Sequence, residues 1–372
     1  MGLSLQIDER RLRNLLMELV KIKSVCGEEG DIADYLIDSL AQIADRVEHQ
    51  PVRDCGGNVL AYFGDPRNPS LLFLTHMDTV ELFSGWTKSP WGEEEDGVIY
   101  GLGALDSKSS LAAMIEAVRQ ASSSGSLREG VLLAAVCDEE KFSRGTYELI
   151  RSGKLSSVKR ALVGEPTDLR VAIGAYGRIV FEIEVRGRAA LDIEEGVNAI
   201  LEAAKLVRWS VESSDGGEII APIGIRSPEF VVTHPDLCIV KLDVHYPPGE
   251  AEESIRRRVP ARLRKTPNLL ASLKISPVKR PTPFLRPFKL PEDADIVRGI
   301  SRAFRLALGR PPELFIMKSV TDANYLNNLA EIPSVVIGPS GGNQHSPNEY
   351  VIFSSVADMA RLLLALLSGG GE

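Results

Sequence analysis

The apolar positions of the chain fall into runs of two kinds, and their order predicts strands separated by helices. Leu12, Leu15, Leu16, Leu19 and Val20 repeat at helical spacing over residues 9–22, and Ile32, Leu36, Leu40 and Ile43 do so again, so two amphipathic helices open the chain. Residues 58–63 read as a strand, and the turn-forming run Asp65-Pro66-Arg67-Asn68-Pro69 leads into a second at Leu71–Leu74. Leu111, Met114, Ile115 and Val118 mark one face of a further helix, and apolar runs at 131–136, 161–164 and 334–338 mark three more strands. Helices separate most of these strands. That alternation is the pattern of an α/β fold with a mainly parallel sheet flanked by helices.

Residues 174–283 behave differently. Ile179, Phe181, Ile183 and Val185 alternate with polar or charged neighbours, the signature of a half-exposed strand. A helix at about 196–212, strands near 219–225 and 237–245, a helix over 250–264 interrupted by Pro260, and a strand at 270–276 complete the order βαββαβ, which is ferredoxin-like. The expected organisation is a first sheet portion at 1–173, an inserted α+β domain at 174–283, and the sheet fold resuming at 284–372 with a helix at 293–308.

The predicted strands end in polar residues of one chemical type. LLFLT runs into His76 and Asp78, VLLAAV into Asp138-Glu139-Glu140, ALVG into Glu165, and SVVIG into a glycine-rich loop and His345. Asp106 lies just ahead of the helix that starts near Ser109, where it reads as an N-cap or as a ligand on a loop reaching the same rim. Three consecutive acids suit a solvated turn or a cation site with a carboxylate base beside it. In parallel sheets ligands gather at the carboxyl ends of strands. Two histidines and at least three carboxylates placed at such ends match a nitrogen- and oxygen-ligated zinc or related divalent site.

Composition narrows the partners. The chain has 372 residues, 44% of them hydrophobic, and a net charge of −8, which argues against a nucleic-acid partner, since phosphate backbones are bound by concentrated Lys and Arg. No apolar run approaches the ~18–20 residues needed to cross a bilayer, and the start of the chain lacks the charged-then-apolar order of a signal peptide; no membrane association is expected, and the cytoplasm is the default location. Cys26, Cys55, Cys137 and Cys238 are scattered, so a metal would be held by His, Asp and Glu.

Together, THMDTV at 75–80, GLGALDSK at 101–108, DEE at 138–140, GEPTD at 164–168 and NQHSPNE at 343–349 resemble the aminoacylase, carboxypeptidase G, succinyl-diaminopimelate desuccinylase and acetylornithine deacetylase family of co-catalytic zinc amidohydrolases, over nearly the whole chain. The resemblance implies a zinc-exopeptidase-like fold and two divalent metal ions, zinc first with cobalt or manganese as alternatives. It makes Asp106 the bridging carboxylate, with His76 and Glu165 completing one site and Glu140 and His345 the other. Asp78 would orient His76, and Glu139 would be the general base for a metal-activated water attacking an amide. Lys318, Thr321, Asp322 and Asn324 resemble a Lys-x-Gly-Thr-x-Asp-x-Asn segment of lysine- and ornithine-biosynthetic hydrolases. That implies an N-acylated amino acid with a basic or amino side chain, free or joined to an amino-group carrier protein. Thr321 and Asp322 read equally well as caps of the following helix.

The chain departs from the family pattern in several places. Leu102 and Ser109 replace an Arg and a Gly, and Leu191 stands where the inserted domain commonly supplies an oxyanion-binding His; losing one such donor costs on the order of 10²–10³ in turnover. His245 or His234 could replace that donor, and Lys318, Arg178 or Arg286 could bind a substrate carboxylate, although each has an ordinary surface explanation. Three functions are therefore open: a deacylase, a dipeptidase or carboxypeptidase, and a metal-binding homologue with impaired catalysis. A homodimer is expected, joined through the inserted domain with the strand at 178–187 as its exposed edge.

Overall fold

The computed structural model describes residues 5–190, 192, 195–214, 217–227 and 234–369. The chain divides into two compact units, one of Met1–Gly174, Leu290–Ile316 and Thr321–Glu372, the other of Ala175–Lys289 and Met317–Val320.

The first unit is organised around a mixed sheet. Seven of its nine strands are β1 (Arg46–Gln50), β2 (Asn58–Phe63), β3 (Leu71–His76), β4 (Val131–Val136), β5 (Arg160–Gly164), β6 (Val171–Ala175) and β7 (Ser334–Ile337), in the spatial order β1-β2-β4-β3-β5-β7-β6. The central four, β4, β3, β5 and β7, run parallel, while β1, β2 and β6 pair antiparallel. β2, β3 and β4 are buried at every position, which explains continuous apolar runs where a half-exposed strand would alternate. Register places His76 opposite Val136, and Ile337 opposite Gly164. The carboxyl ends of the parallel strands thus share one edge of the sheet.

Helices α1 (Glu9–Lys21), α2 (Gly30–Leu40), α3 (Ser109–Ser123), α4 (Arg144–Arg151), α5 (Asp295–Leu308) and α6 (Phe353–Leu367) flank the sheet. Asp8 caps α1 by accepting a hydrogen bond from the Arg11 amide at 2.9 Å. α6 is buried along most of its length and packs against both α3 and α5. A small antiparallel sheet of Gly341–Gly342, Tyr350–Ile352, Val98–Tyr100 and Glu93–Glu95 was not foreseen, since segments of two or three residues leave no periodic trace. It clamps both ends of the loop that carries His345.

The second unit has the order βαββαβ: Gly177–Arg186, Ala199–Glu212, Ile219–Arg226, Leu237–Tyr246, Glu252–Leu263 and Ser272–Pro277. Ile179, Phe181, Ile183 and Val185 form one core with Leu206, Val259 and Leu263 of its helices. That packing carries the second helix through Pro260 without the expected break, despite the lost amide donor. One expectation is corrected. Gly177–Arg186 is an inner strand, paired with both Leu237–Tyr246 and Ser272–Pro277, and the edges are Ile219–Arg226 and Ser272–Pro277. Alternation reports that the two faces of a strand differ, and it carries no information on whether both its hydrogen-bonding rows are paired.

Candidate metal centre

Three strand ends, one turn and one loop bring the polar residues together. His76 closes β3, and its Nδ1 lies 3.0 Å from the backbone carbonyl of Asp78. A carbonyl only accepts, so Nδ1 carries the hydrogen and Nε2 is left facing Asp106 Oδ1 at 3.1 Å, with Glu165 Oε2 at 3.8 Å. On the other oxygen of Asp106, His345 Nε2 lies at 3.1 Å, and the same nitrogen lies 3.0 Å from Glu140 Oε1. Gln344 also donates to that oxygen. Asp106 thus stands between two imidazoles, with one carboxylate beyond each.

Local backbone explains how Asp106 gets there. It lies in a kinked turn, with non-helical angles at Asp106 and Ser107, and α3 begins only at Ser109; Asp106 is not the N-cap of that helix. Gly103 permits the turn with φ +77°, and a Cβ there would meet Thr79 Cγ2 at 2.6 Å. The buried Glu349 carboxylate accepts the amides of Gly103, Leu105 and Asp106 at 3.1, 2.9 and 3.0 Å. Ser107 Oγ bonds Thr75 Oγ1 at 2.5 Å, and Thr75 donates to the Gly164 carbonyl at 2.9 Å, which ties the turn to β3 and β5.

The three consecutive acids are separated by where they point. Asp138, with φ +62°, turns to the Arg144 guanidinium at 2.7 Å and accepts from Cys26 Sγ at 3.1 Å. Asp78 accepts the backbone amides of Glu139 and Glu140, each at 3.1 Å, and so holds the turn that carries both glutamates. Among the described residues three groupings have ligand atoms within 4.8 Å of one another: His76, Asp106 and Glu140; His76, Glu139 and Glu165; and, sharing Asp78 with the turn of the two glutamates, Cys26, Glu29 and Asp78.

Electrostatics show what the cluster lacks. Burial raises Glu139 well above the ordinary carboxylate range, with Glu165 adding to the shift. Burial also raises Glu140, with Asp106 adding to it, and pushes Glu165 up to about 8. Burial disfavours a charged His76, yet the Asp106, Asp78 and Glu165 carboxylates outweigh it and raise the imidazole. His345, beside Asp106 and Glu140, is pushed up to about 10. Burial opposes ionisation of Asp106, but His345 and His76 hold it below its usual range. A neutral His76 would set the Nε2 lone pair against a carboxylate oxygen. Either a proton or a cation must lie between them, and crowded carboxylates favour added positive charge. The imidazole and carboxylate donors fit zinc or a similar divalent ion.

The sequence of this centre has known counterparts. The profile of peptidase family M20/M25/M40 matches residues 72–369. The chain belongs to that family. It is therefore an enzyme, a metal-dependent hydrolase of the amidohydrolase and peptidase type. It is 26% identical to the LysW-lysine/LysW-ornithine hydrolase of Sulfurisphaera tokodaii, covering 96% of this chain and 94% of that one. It is 26% identical to the acetylornithine deacetylase of Photorhabdus laumondii, covering 92% and 91%. The fold is shared with a tripeptidase from Staphylococcus aureus at a TM-score of 0.82, with 22% identity over 98% of this chain and 99% of that one.

Of the remaining candidates of this M20 hydrolase, Asp322 lies close enough to the centre for its charge to act on Glu139 and for His76 and Asp78 to act on it; the others serve the local turn or lie in the second unit. Asp322 is buried and accepts from Thr146 Oγ1 of α4 at 2.7 Å, and burial pushes it up to about 6. Its side chain does not cap the helix at Ala323–Asn328. Thr321 Oγ1 accepts the Ala323 amide at 3.1 Å, and Asn324 Oδ1 accepts the Thr321 amide at 2.9 Å, so both serve the local turn. Lys318 is exposed in the second unit. In that unit Arg178 and His245 face each other across paired strands and both reach Asp243, at 2.7 and 3.5 Å. His234 lies against Gly196, and Arg286 is 3.6 Å from Glu252. Leu191 lies outside the described residues. Glu349, Gln344 and Arg144 had no assigned role from sequence. Glu349 lay within a motif already singled out, and its spacing from His345 was the available signal.

Proposed function

We propose that this M20 enzyme hydrolyses the amide of an N-acylated amino acid with a basic or amino side chain, of the acetylornithine or acetyl-lysine type or its carrier-protein-linked equivalent, with Glu139 as general base. The observation that carries this reading is the Asp106 carboxylate, each oxygen of which faces a different imidazole at 3.1 Å. His76, Asp106 and Glu165 would hold one divalent ion and His345, Asp106 and Glu140 the other, and such ions supply Lewis acidity toward water and the scissile carbonyl. Zinc is the first assignment, with cobalt or manganese as alternatives.

The protein's own groups do the rest. Glu139, half-buried, takes a proton from the attacking water in its ionised form and delivers it to the leaving nitrogen; its raised pKa favours holding that proton between the two steps. Asp78 supports this indirectly, since its carbonyl fixes the tautomer of His76 while its carboxylate fixes the amides of Glu139 and Glu140. Asp322 anchors the 321–324 turn to α4.

The test is a panel of N-acetyl amino acids and dipeptides, assayed with zinc, cobalt or manganese. Turnover should be highest on Nα-acetylated ornithine or lysine. Glu139→Gln should lower it by at least ~10² while metal content, read by mass spectrometry, stays unchanged. Preference for dipeptides would replace the deacylase by an exopeptidase using the same centre. A metal-loaded protein that cleaves nothing in the panel, or a Glu139→Gln variant of normal activity, would overturn the mechanism. We also propose a homodimer formed through the second unit at its apolar edge strand, Ile219–Arg226.

A further inference from the structure

The starting ends of the parallel strands hold a second concentration of charge. Arg160 opens β5 opposite Leu71 of β3, whereas His76 closes β3, so the two ends lie about 16 Å apart at the rise of an extended strand. At the starting end Arg128, Arg160, Arg298 and Arg302 line a cleft of about 390 Å³, with Glu129 and Asp295 as its acids. Four arginines against two acids leave positive charge in excess, in a chain whose net charge is −8.

Two of the four are already engaged. Arg160 bonds Glu129, which also accepts from Ser70, and Arg298 bonds Asp295 and the Asp293 carbonyl. Arg128 and Arg302 have no carboxylate partner among the described residues, and Nε of Arg302 is buried with no acceptor. Arg298 and Arg302 are one turn apart on α5, so they share a face. Arg128 lies across Gly369, where a Cβ would meet its Cγ at 3.4 Å. The glycine thus leaves the cleft open beside the guanidinium.

We propose that this cleft is a binding site for a phosphate-type dianion, free or as the phosphate group of a small ester, held between Arg128 and Arg302. The guanidinium fork matches phosphate oxygens in a bidentate manner. Such an anion balances the excess charge of the cleft and gives the two arginines without a carboxylate partner an acceptor for their terminal nitrogens. Its place at the opposite end of the strands keeps it apart from the metal centre.

Calorimetric titration of the metal-loaded enzyme with inorganic phosphate, and in a second arm with ribose 5-phosphate, tests this. Binding of either ligand should weaken at least tenfold in Arg302→Gln and in Arg128→Gln. Arg302→Lys, which keeps the charge and loses the fork, should fall between. Tighter binding of the ester assigns the site to phosphate esters; equal or weaker binding assigns it to the free ion. Melting temperatures without ligand check that the variants fold, and the exposed Arg128 keeps the test valid if Arg302→Gln does not. Absence of binding in both arms overturns the site, as does binding that the arginine variants leave unchanged, which would place the anion at the metal centre or elsewhere.

Discussion

Asp78 touches none of the atoms expected to react, yet it fixes three groups that do the chemistry. Its carbonyl sets the tautomer of His76 and its carboxylate binds the amides of Glu139 and Glu140. Removing such a support typically costs 10–100-fold in metal affinity or activity. Asp78→Ala keeps the backbone carbonyl and removes only the carboxylate that holds the Glu139 and Glu140 amides; it should lose about that factor in a metal titration or a turnover assay, and wild-type values in both would refute the carboxylate's supporting role. Glu165 gives a pH dependence. Its carboxyl titrates near 8 in the metal-free fold, above the ordinary 4.5, so between those values the folded state holds a proton that the unfolded state has lost. This contribution to stability is present below about 4.5 and is lost as pH rises through about 8. The melting temperature of metal-free protein should fall over that window more steeply in the wild type than in Glu165→Gln, and added zinc at pH 8 should raise it again. Equal slopes would sink this assignment. Residue types and strand-end placement made His76, Asp106, Glu140, Glu165 and His345 legible as candidates. The sequence could not show that Asp138 would turn away from its neighbours, because its partner Arg144 is fixed only by a left-handed turn.

Elements succeed or fail by length and burial. Val131–Val136 was readable to the residue because six apolar positions in a row mark a strand buried on both faces. The small sheet was not, since its strands are two or three residues long and take their stability from the loops they clamp. Gly341 shows what such contacts demand, as a Cβ there would lie 2.1 Å from the Tyr350 carbonyl oxygen. Glu349 is the main tie between this sheet and the Asp106 turn. Glu349→Ala would leave three backbone amides without their acceptor, and a single buried charge-assisted acceptor contributes up to roughly 3 kcal/mol. Chemical denaturation should register a loss of about that size, with weaker metal binding as Asp106 shifts. A variant of unchanged stability would mean that water replaces the carboxylate.

At the scale of the molecule, the parallel order of β4, β3, β5 and β7 converts residues far apart in sequence into one cluster, because parallel neighbours all end on the same side. Sequence could supply that order only as far as helices visibly alternated with strands. It could not supply the strand order of the second unit, and the expected dimer edge failed there for that reason. The two true edges differ in character. Ser272–Pro277 carries the exposed Lys274, a residue that discourages edge pairing. Ile219–Arg226 instead exposes Ile219, Ile223 and Ile225 at 43%, 52% and 56%, an apolar row that a second copy could cover, although the register shift between Pro222 and Gly224 limits how far a ladder can extend. Contact should therefore rest on the isoleucine side chains beyond that shift more than on backbone pairing. Burying apolar side chains of this size contributes about 1.5–3 kcal/mol each, so replacing both Ile223 and Ile225 by Asp should weaken association more than ~100-fold. Sedimentation at micromolar concentration should find the wild type dimeric and the double variant monomeric. A monomeric wild type removes the dimer, and a dimer indifferent to the substitutions moves its interface away from this strand.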